Sequence, residues 1–465
     1  MSEFKRYGLA ASLATLLALG LAGCGGSKEA SQSPKVVYSS VVSFGDSLSD
    51  PGAYKVGPIA GLGGGLFTVN GIAGDVGADP TPSYTWAQLV SAAAIGKVSC
   101  AARVGFGVPA TPVPGCTNYA QGGSRITDPA GTGKDKGALT EPVVLQVNNY
   151  LGTTSNGLFT GNELVTVQGG ANELFFQATV LEAAAKAEGV KVGASTYATN
   201  LVASLAAGAT NPTTAAQAIG LAMATEQARA GSTPETITQA AIVAAAGQPG
   251  NAAVAGLAVY GPKVAAATSA AATAGAAAGA RYAATTGAGI AVTGLTTAAA
   301  ELSAIVKNMV TKGAKRIVVT NLPDVSQTPY ALGTITVTAG VADNSTQQLI
   351  LAMTKAFNDK LKADLAGVAG VLFVDVFTEY QKQIANPAQY GLSNVKDTAC
   401  DLRLPANKLA TEGKADGSSL VCKPSNLIAG DTSRYLFADD VHPTPYGHKL
   451  LAQLVNKELI LAGWL

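Results

Sequence analysis

VVSFGDSLSD, residues 41–50, runs an apolar segment into a Gly-Asp-Ser corner. The segment begins near residue 36, is rich in Val, Ser and Tyr, and predicts a first β-strand over residues 36–44 that meets a tight turn. Three later runs share its character: ELVTVQ at 163–168, RIVVT at 316–320 and VLFVDVF at 371–377. None alternates strictly between apolar and polar residues, which predicts strands covered on both faces, as in a parallel sheet. Helical patterns lie between them. Residues 345–365 repeat Leu349, Met353, Phe357, Leu361 and Leu365 at a spacing of four, behind Asp343, Asn344 and Ser345 as N-cap candidates. Residues 297–312 put Leu302, Ile305, Val306 and Met309 on one face ahead of Gly313, and a last helix is expected over about 445–461. Strands alternating with helices predict an α/β fold, a three-layer α/β/α sandwich around a central parallel sheet.

The stretch 188–294 departs from that pattern. Ala, Thr and Gly dominate it, as in AAATSAAATAGAAAGARYAATTG at 265–287. Alanine favours helix, while the scarcity of large apolar side chains leaves little to bury. The reading is a set of helical hairpins inserted in the domain, interrupted near 231–234 and 247–250. No window of about 20 residues reads as strongly apolar, so no membrane span is expected there.

Across 465 residues the formal net charge is +1 and only 13% of residues are charged, which leaves no electrostatic footprint for nucleic acid. The N-terminus reads as an export signal: Lys5 and Arg6, an apolar stretch from Leu9 to Leu21, then Ala22-Gly23-Cys24. LAGC resembles a bacterial lipobox, which implies a signal peptide over residues 1–23 and a lipid on Cys24, with residues 24–35 as a flexible tether. Gly25 after the cysteine leans toward the outer membrane. Four cysteines remain, in a chain routed to an oxidising compartment. Of the three possible pairings we favour Cys100–Cys116 with Cys400–Cys422, each closing a short loop worth about 3 kcal/mol. No CxxC or histidine cluster points to a metal, and no cofactor is expected.

Histidine is scarce, with two in the chain, and FADDVHPTPYGH at 437–448 holds both. An imidazole beside a carboxylate is a proton-transfer device near neutral pH, so His442 and Asp439 are candidates for it. Ser47, at the carboxyl end of a parallel strand, stands where open α/β sheets bind ligands. Serine needs a base to become a nucleophile, and His442 needs a carboxylate to orient its ring. Acyl transfer also needs donors aimed at a developing oxyanion, worth about 3 kcal/mol apiece. Two glycine-rich segments offer them: residues 118–124, NYAQGGS, and residues 169–173, GGANE.

These four segments, in this order, resemble the blocks of the GDSL family of SGNH hydrolases, which are serine esterases and lipases. Support comes from SYTWAQL at 83–89 and from GAKR at 313–316 leading into NLPD at 321–324. The resemblance covers most of residues 36–465 outside the Ala-rich insertion, and it implies a flavodoxin-like sandwich. It implies Ser47 as nucleophile, His442 as base and Asp439 as its orienting carboxylate, chosen over Asp440 by the Asp-x-x-His spacing. The implied oxyanion donors are the backbone N–H groups of Ser47 and Gly123 and the side-chain amide of Asn172. Asn118 is expected to brace the turn before Gly123, and His448 to satisfy a local hydrogen bond or cap the final helix. Two departures stand out: Glu173 where the family commonly has Asp, and Asp50-Pro51-Gly52-Ala53 where Asp-x-Gly-Asn is commoner.

The function implied is hydrolysis of carboxylic esters, small or lipid, through an acyl-enzyme, by a protein held at a membrane through its lipid. An acyltransferase or phospholipase would use the same site, and a catalytically silent surface-binding lipoprotein is the reading from another class. The insertion reads as a lid, as a platform for an acyl chain, or as decoration.

Overall fold

A computed structural model of the chain describes residues 36–131, 139–334, 336–338 and 341–465. The proposed signal peptide, Cys24 and the whole of the tether lie outside the described residues. Four strands, β1 (Ser40–Phe44), β2 (Glu163–Val167), β3 (Ile317–Thr320) and β4 (Val371–Val374), lie side by side in that order. All three pairings are parallel, with Ser40 opposite Glu163, Val165 opposite Ile317 and Ile317 opposite Val371. On the outer edge of β1, Asn118 forms a parallel bridge with Ser43. The chain therefore leaves β1 to one side and returns on the other. That reversal creates a topological switch point at the carboxyl end of β1, the usual ligand crevice of such sheets.

The longer helices, in chain order, are α1 (Trp86–Ile95), α2 (Val143–Thr153), α3 (Ala171–Ala206), α4 (Pro212–Gln227), α5 (Pro234–Ala246), α6 (Leu257–Tyr282), α7 (Ala288–Thr311), α8 (Ser345–Leu365), α9 (Val376–Ala385) and α10 (Pro445–Leu461). Side chains alternate across the sheet. Val42, Phe44, Val165, Val167, Ile317 and Val319 join Leu302, Val306, Met309, Phe357 and Leu361 in one core. Val41, Leu164, Val318 and Val374 join Trp86, Val90, Val455 and Leu459 in the other. Helices α2, α7 and α8 thus cover one face and α1 and α10 the opposite one, giving the three-layer sandwich.

Two strands are shorter than their sequence runs by three residues or more. Residues 36–39 precede β1, and Val37 is 89% exposed. The run 371–377 is broken at Asp375, whose carboxylate accepts the Thr378 N–H at 3.1 Å and starts α9. Its last apolar residues belong to a helix, which an unbroken apolar pattern does not reveal. Helix α8 has the expected bounds, and Met353, Phe357, Leu361 and Leu365 are buried on it. Asp343 accepts the Ser345 N–H at 2.9 Å, in place of a cap from Asn344.

The Ala-rich region is rooted deeper in the sandwich than residues 188–294. Helix α3 begins at Ala171, directly after the glycines that follow β2, and α7 returns to within six residues of β3. In between, α3 packs antiparallel to α6 at unusually close range. A Cβ placed on Gly189 would lie 2.8 Å from the Gly275 carbonyl oxygen, and one on Gly275 would lie 2.7 Å from that of Gly189. Glycine is required there because the two backbones themselves are in contact. Dispersion between backbones replaces the large side chains that the sequence lacks. Farther out, Leu201, Leu205, Ile219, Met223 and Ile242 of α3, α4 and α5 form a separate apolar cluster, so this region buries more than its composition suggests. The composition was misleading in a second way. Through a π-helical turn α6 continues into α7, and Leu257–Thr311 is long and apolar enough to cross a membrane by length and composition, with 44% of its most apolar window buried in the protein.

Candidate active site

Ser47 sits on the turn that follows β1, held from several sides. Gly45 has φ +155°, and a Cβ on it would stand 2.7 Å from the Gln168 carbonyl at the end of β2. From α2, Gln146 grips Gly45 twice: Oε1 accepts its N–H at 2.8 Å and Nε2 donates to its carbonyl at 2.9 Å. Asp46 closes the corner by accepting the Leu48 N–H at 3.1 Å. Asp50 accepts N–H groups of Gly52, Ala53 and Gly122 at 2.8, 2.6 and 2.8 Å, tying the serine turn to the glycine-rich segment. Asn118 adds a second tie, donating to the Ser49 carbonyl at 3.0 Å and accepting the Ala120 N–H at 3.0 Å, which is the bracing role expected of it. Burial pushes the Asp46 carboxyl up to about 6 and the Asp50 carboxyl up to about 7, against the pull of these N–H donors.

His442 arrives from the segment before α10. Its Nε2 lies 2.8 Å from Ser47 Oγ, and its Nδ1 lies 2.9 Å from both carboxylate oxygens of Asp439. Asp439 is buried and fully engaged: Oδ2 accepts the Ser419 N–H at 2.7 Å, and Oδ1 accepts those of Val441 and His442 at 3.0 and 2.8 Å. Burial alone would raise its carboxyl. The His442 ring and the N–H donors outweigh that and hold it well below the usual carboxylate range. Burial likewise works to lower His442, yet Asp439 in contact, with Asp46 and Asp440 nearby, raises the imidazole above its ordinary value.

The competing residues fall elsewhere. Asp440 is partly exposed and accepts the Tyr330 N–H through its backbone carbonyl at 3.0 Å. Burial, and then the Asp439 charge, push its carboxyl up to about 6. His448 is fully buried, and its Nδ1 accepts the Trp86 N–H at 3.3 Å. It therefore caps the neighbouring α1, on the same face of the sheet, rather than α10, whose own cap is Thr444 accepting the Gly447 N–H at 3.1 Å. Burial drives the His448 imidazole down to about 3, so it stays neutral.

Ser47, Gly123, Asn172 and His442 line one cavity of about 320 Å³, walled by Tyr54, Phe67, Phe106 and Phe175 among other apolar side chains. Asn172 occupies the first turn of α3, and its Nδ2 donates to the Ser124 carbonyl at 2.9 Å. Glu173 beside it accepts the Ile126 N–H at 2.6 Å and lies 3.7 Å from Arg125. Burial pushes its carboxyl up to about 7. The longer side chain thus spans from α3 to the loop that carries Gly123. Tyr54 donates to the Gly122 carbonyl at 2.7 Å and stacks on Phe106, with ring centroids 4.5 Å apart. The Phe67 ring lies 4.9 Å from the His442 ring. Sequence reading missed Gln146, Gln168, Tyr54, Phe67 and Ser419. Each acts through a partner far along the chain, as Gln146 does on Gly45 over 101 residues, and none carries a local motif.

Both disulfides are formed as favoured, Cys100–Cys116 and Cys400–Cys422, with Cα separations of 5.0 and 6.1 Å. The second bears on the site. The Cys400 N–H donates to the Ala438 carbonyl at 3.0 Å, next to Asp439, and Cys422 closes the turn that begins at Ser419. Replacing Cys400 and Cys422 by serine is expected to lower the unfolding free energy by about 3 kcal/mol, read from urea denaturation. A loss under about 1 kcal/mol would mean that the loop closure is already supplied by hydrogen bonds.

A family model described as GDSL-like Lipase/Acylhydrolase matches residues 274–455, a span that contains Asp439 and His442 but follows Ser47, Gly123 and Asn172. Among curated proteins, the chain is similar to GDSL esterase/lipase At5g22810 of Arabidopsis thaliana, 26% identical over 158 residues, which are 32% of this chain and 39% of that protein. GDSL esterase/lipase 7 of the same plant is 28% identical over 158 residues, again 32% and 39% of the two chains. The chain thus spans about two fifths of the length of these relatives. The matched segments are thus similar to GDSL esterases and lipases over part of the chain.

Proposed function

We propose that this chain is a serine carboxylic-ester hydrolase that works through an acyl-enzyme on Ser47. The observation that carries the reading is the unbroken line from Ser47 Oγ to His442 Nε2 at 2.8 Å and from His442 Nδ1 to Asp439 at 2.9 Å. In this reading Nδ1 keeps its proton toward Asp439, which leaves Nε2 with a lone pair for the serine hydroxyl. Ser47 Oγ attacks the ester carbonyl carbon as its proton passes to His442. The carbonyl oxygen becomes an oxyanion, received by the N–H groups of Ser47 and Gly123 and by the Asn172 amide. The imidazolium returns the proton to the departing alkoxide, and the alcohol leaves. Water then attacks the acyl-enzyme with His442 again as base, releasing the acid and restoring Ser47.

We also propose that the protein is exported and anchored through a lipid on Cys24, with residues 36–465 as the hydrolase domain and residues 188–294 as its insertion. The two disulfides support an oxidising destination. Residues 1–23 supply the signal pattern and LAGC the lipidation motif.

Hydrolysis of p-nitrophenyl esters of graded chain length tests the activity, with Ser47→Ala as the control. Release of nitrophenolate by the wild type and its loss in Ser47→Ala are expected. Inactivity on every ester, or full activity in Ser47→Ala, would sink the reading.

A further inference from the structure

We infer that the groove between α3 and α6 holds the acyl chain of the ester, which makes long-chain acyl esters the substrate class; this rests on the hydrolase reading above. The groove encloses about 1040 Å³ and is lined by small and apolar side chains, including Ala178 and Val190 of α3, Ala272 of α6, and Leu349 and Met353 of α8. Its floor is the glycine contact, where no side chain projects between the two helices. Glu182 and Lys186, its charged lining residues, are exposed at the rim. From Ala178 to Ala194 the groove follows α3 for about 24 Å at 1.5 Å per residue.

Position selects the occupant. Phe175 lines the cavity of Ser47, and Ala178, one turn farther on the same face of α3, lines the groove. On the opposite wall, Thr328 lines the cavity and Tyr330 lines the groove. The Phe175 and Tyr330 rings meet edge to face with centroids 5.1 Å apart. The Phe175–Tyr330 pair therefore stands between the catalytic cavity and a second apolar space more than three times its volume. A cavity of about 320 Å³ suits the ester group and a short acyl segment. A longer chain leaving Ser47 past Phe175 reaches this apolar groove once the Phe175 and Tyr330 side chains give way, and the groove's place one helical turn from the catalytic cavity favours an acyl chain over a partner helix or a bilayer.

Two measurements separate this inference from the hydrolase reading itself. Binding of the fluorescent fatty acid cis-parinaric acid is followed in full-length Ser47→Ala protein, where no turnover is needed. Adding Ala178→Trp is expected to weaken it roughly tenfold, the loss from expelling about two methylenes from apolar contact. In the active protein, the ratio of kcat/KM for p-nitrophenyl palmitate to that for the butyrate is expected to fall about tenfold in Ala178→Trp, by the same arithmetic. Ala187→Trp, exposed on α3 outside the groove, should leave that ratio alone. A merely structural defect would lower both esters together. Unchanged parinaric acid binding, or an unchanged ratio in an active enzyme, overturns the groove assignment. Inactivity on every ester with Ala178-sensitive binding overturns the hydrolase reading and supports the groove.

Discussion

Ser47→Ala and His442→Ala are each expected to lower kcat for a p-nitrophenyl ester by about 10⁶-fold, and the double variant by no more than either alone. The two side chains act as one unit, joined by the 2.8 Å contact between Oγ and Nε2. Without the serine there is nothing for the base to deprotonate, and without the base the hydroxyl is a poor nucleophile. The residual rate in all three variants would come from the oxyanion donors and substrate binding. Folding should survive, because the turn is held by Gln146, Asp46 and Asp50 rather than by the Ser47 hydroxyl. Circular dichroism and thermal melting check that point. Multiplicative losses in the double variant would mean that the two residues serve separate steps, against the proposed mechanism.

Asp439→Asn is the second large effect, expected at about 10⁴-fold in kcat. Its carboxylate accepts three backbone N–H groups besides facing Nδ1. An amide at that position must turn its own N–H₂ toward one of those donors or toward the ring. Donating to Nδ1 selects the tautomer with a proton on Nε2, which can no longer accept from Ser47. A pH profile adds a signed test. The proposed base works only as the neutral ring, and Asp439 raises its pKa above the ordinary value. In the wild type the acid limb of kcat/KM should therefore lie above the usual imidazole range. Losing the Asp439 charge lowers that pKa, so the limb of Asp439→Asn should move to lower pH. A limb that stays put or moves to higher pH would show that another group governs the titration.

Much of this arrangement was legible in the sequence because its causes are local. Burial on both faces writes β2 and β3 as β-branched runs, and a spacing of four writes α8. Ser47, Gly123, Asn172, Asp439 and His442 came from short motifs in a known order, and the fold brings Ser47, Gly123, Asn172 and His442 to one cavity. Part of what escaped was set by distant partners. His448 was expected to make a local hydrogen bond or to cap the final helix, whereas its hydrogen bond spans 362 residues, to the start of α1. Asp375 looked like part of a strand, since a single carboxylate among apolar residues reads the same whether it interrupts or caps. The insertion was underestimated for a different reason: its helices pack through backbones, and no hydrophobic count records a contact made by glycine.

That glycine contact also dictates how the protein can be resized. Ala185 faces Gly279, Gly189 faces Gly275 and Gly193 faces Ala271, so the pairs repeat like rungs of a ladder every four residues, ascending on one arm as they descend on the other. Asn172 stands at the foot of one arm, in the first turn of α3. Any shortening that keeps the foot in place must remove equal lengths from both arms, starting at the far end. Cutting one arm alone slides a glycine off its partner and sets methyl groups against a carbonyl that tolerates none. The length of the projection is therefore adjustable, while its register is fixed.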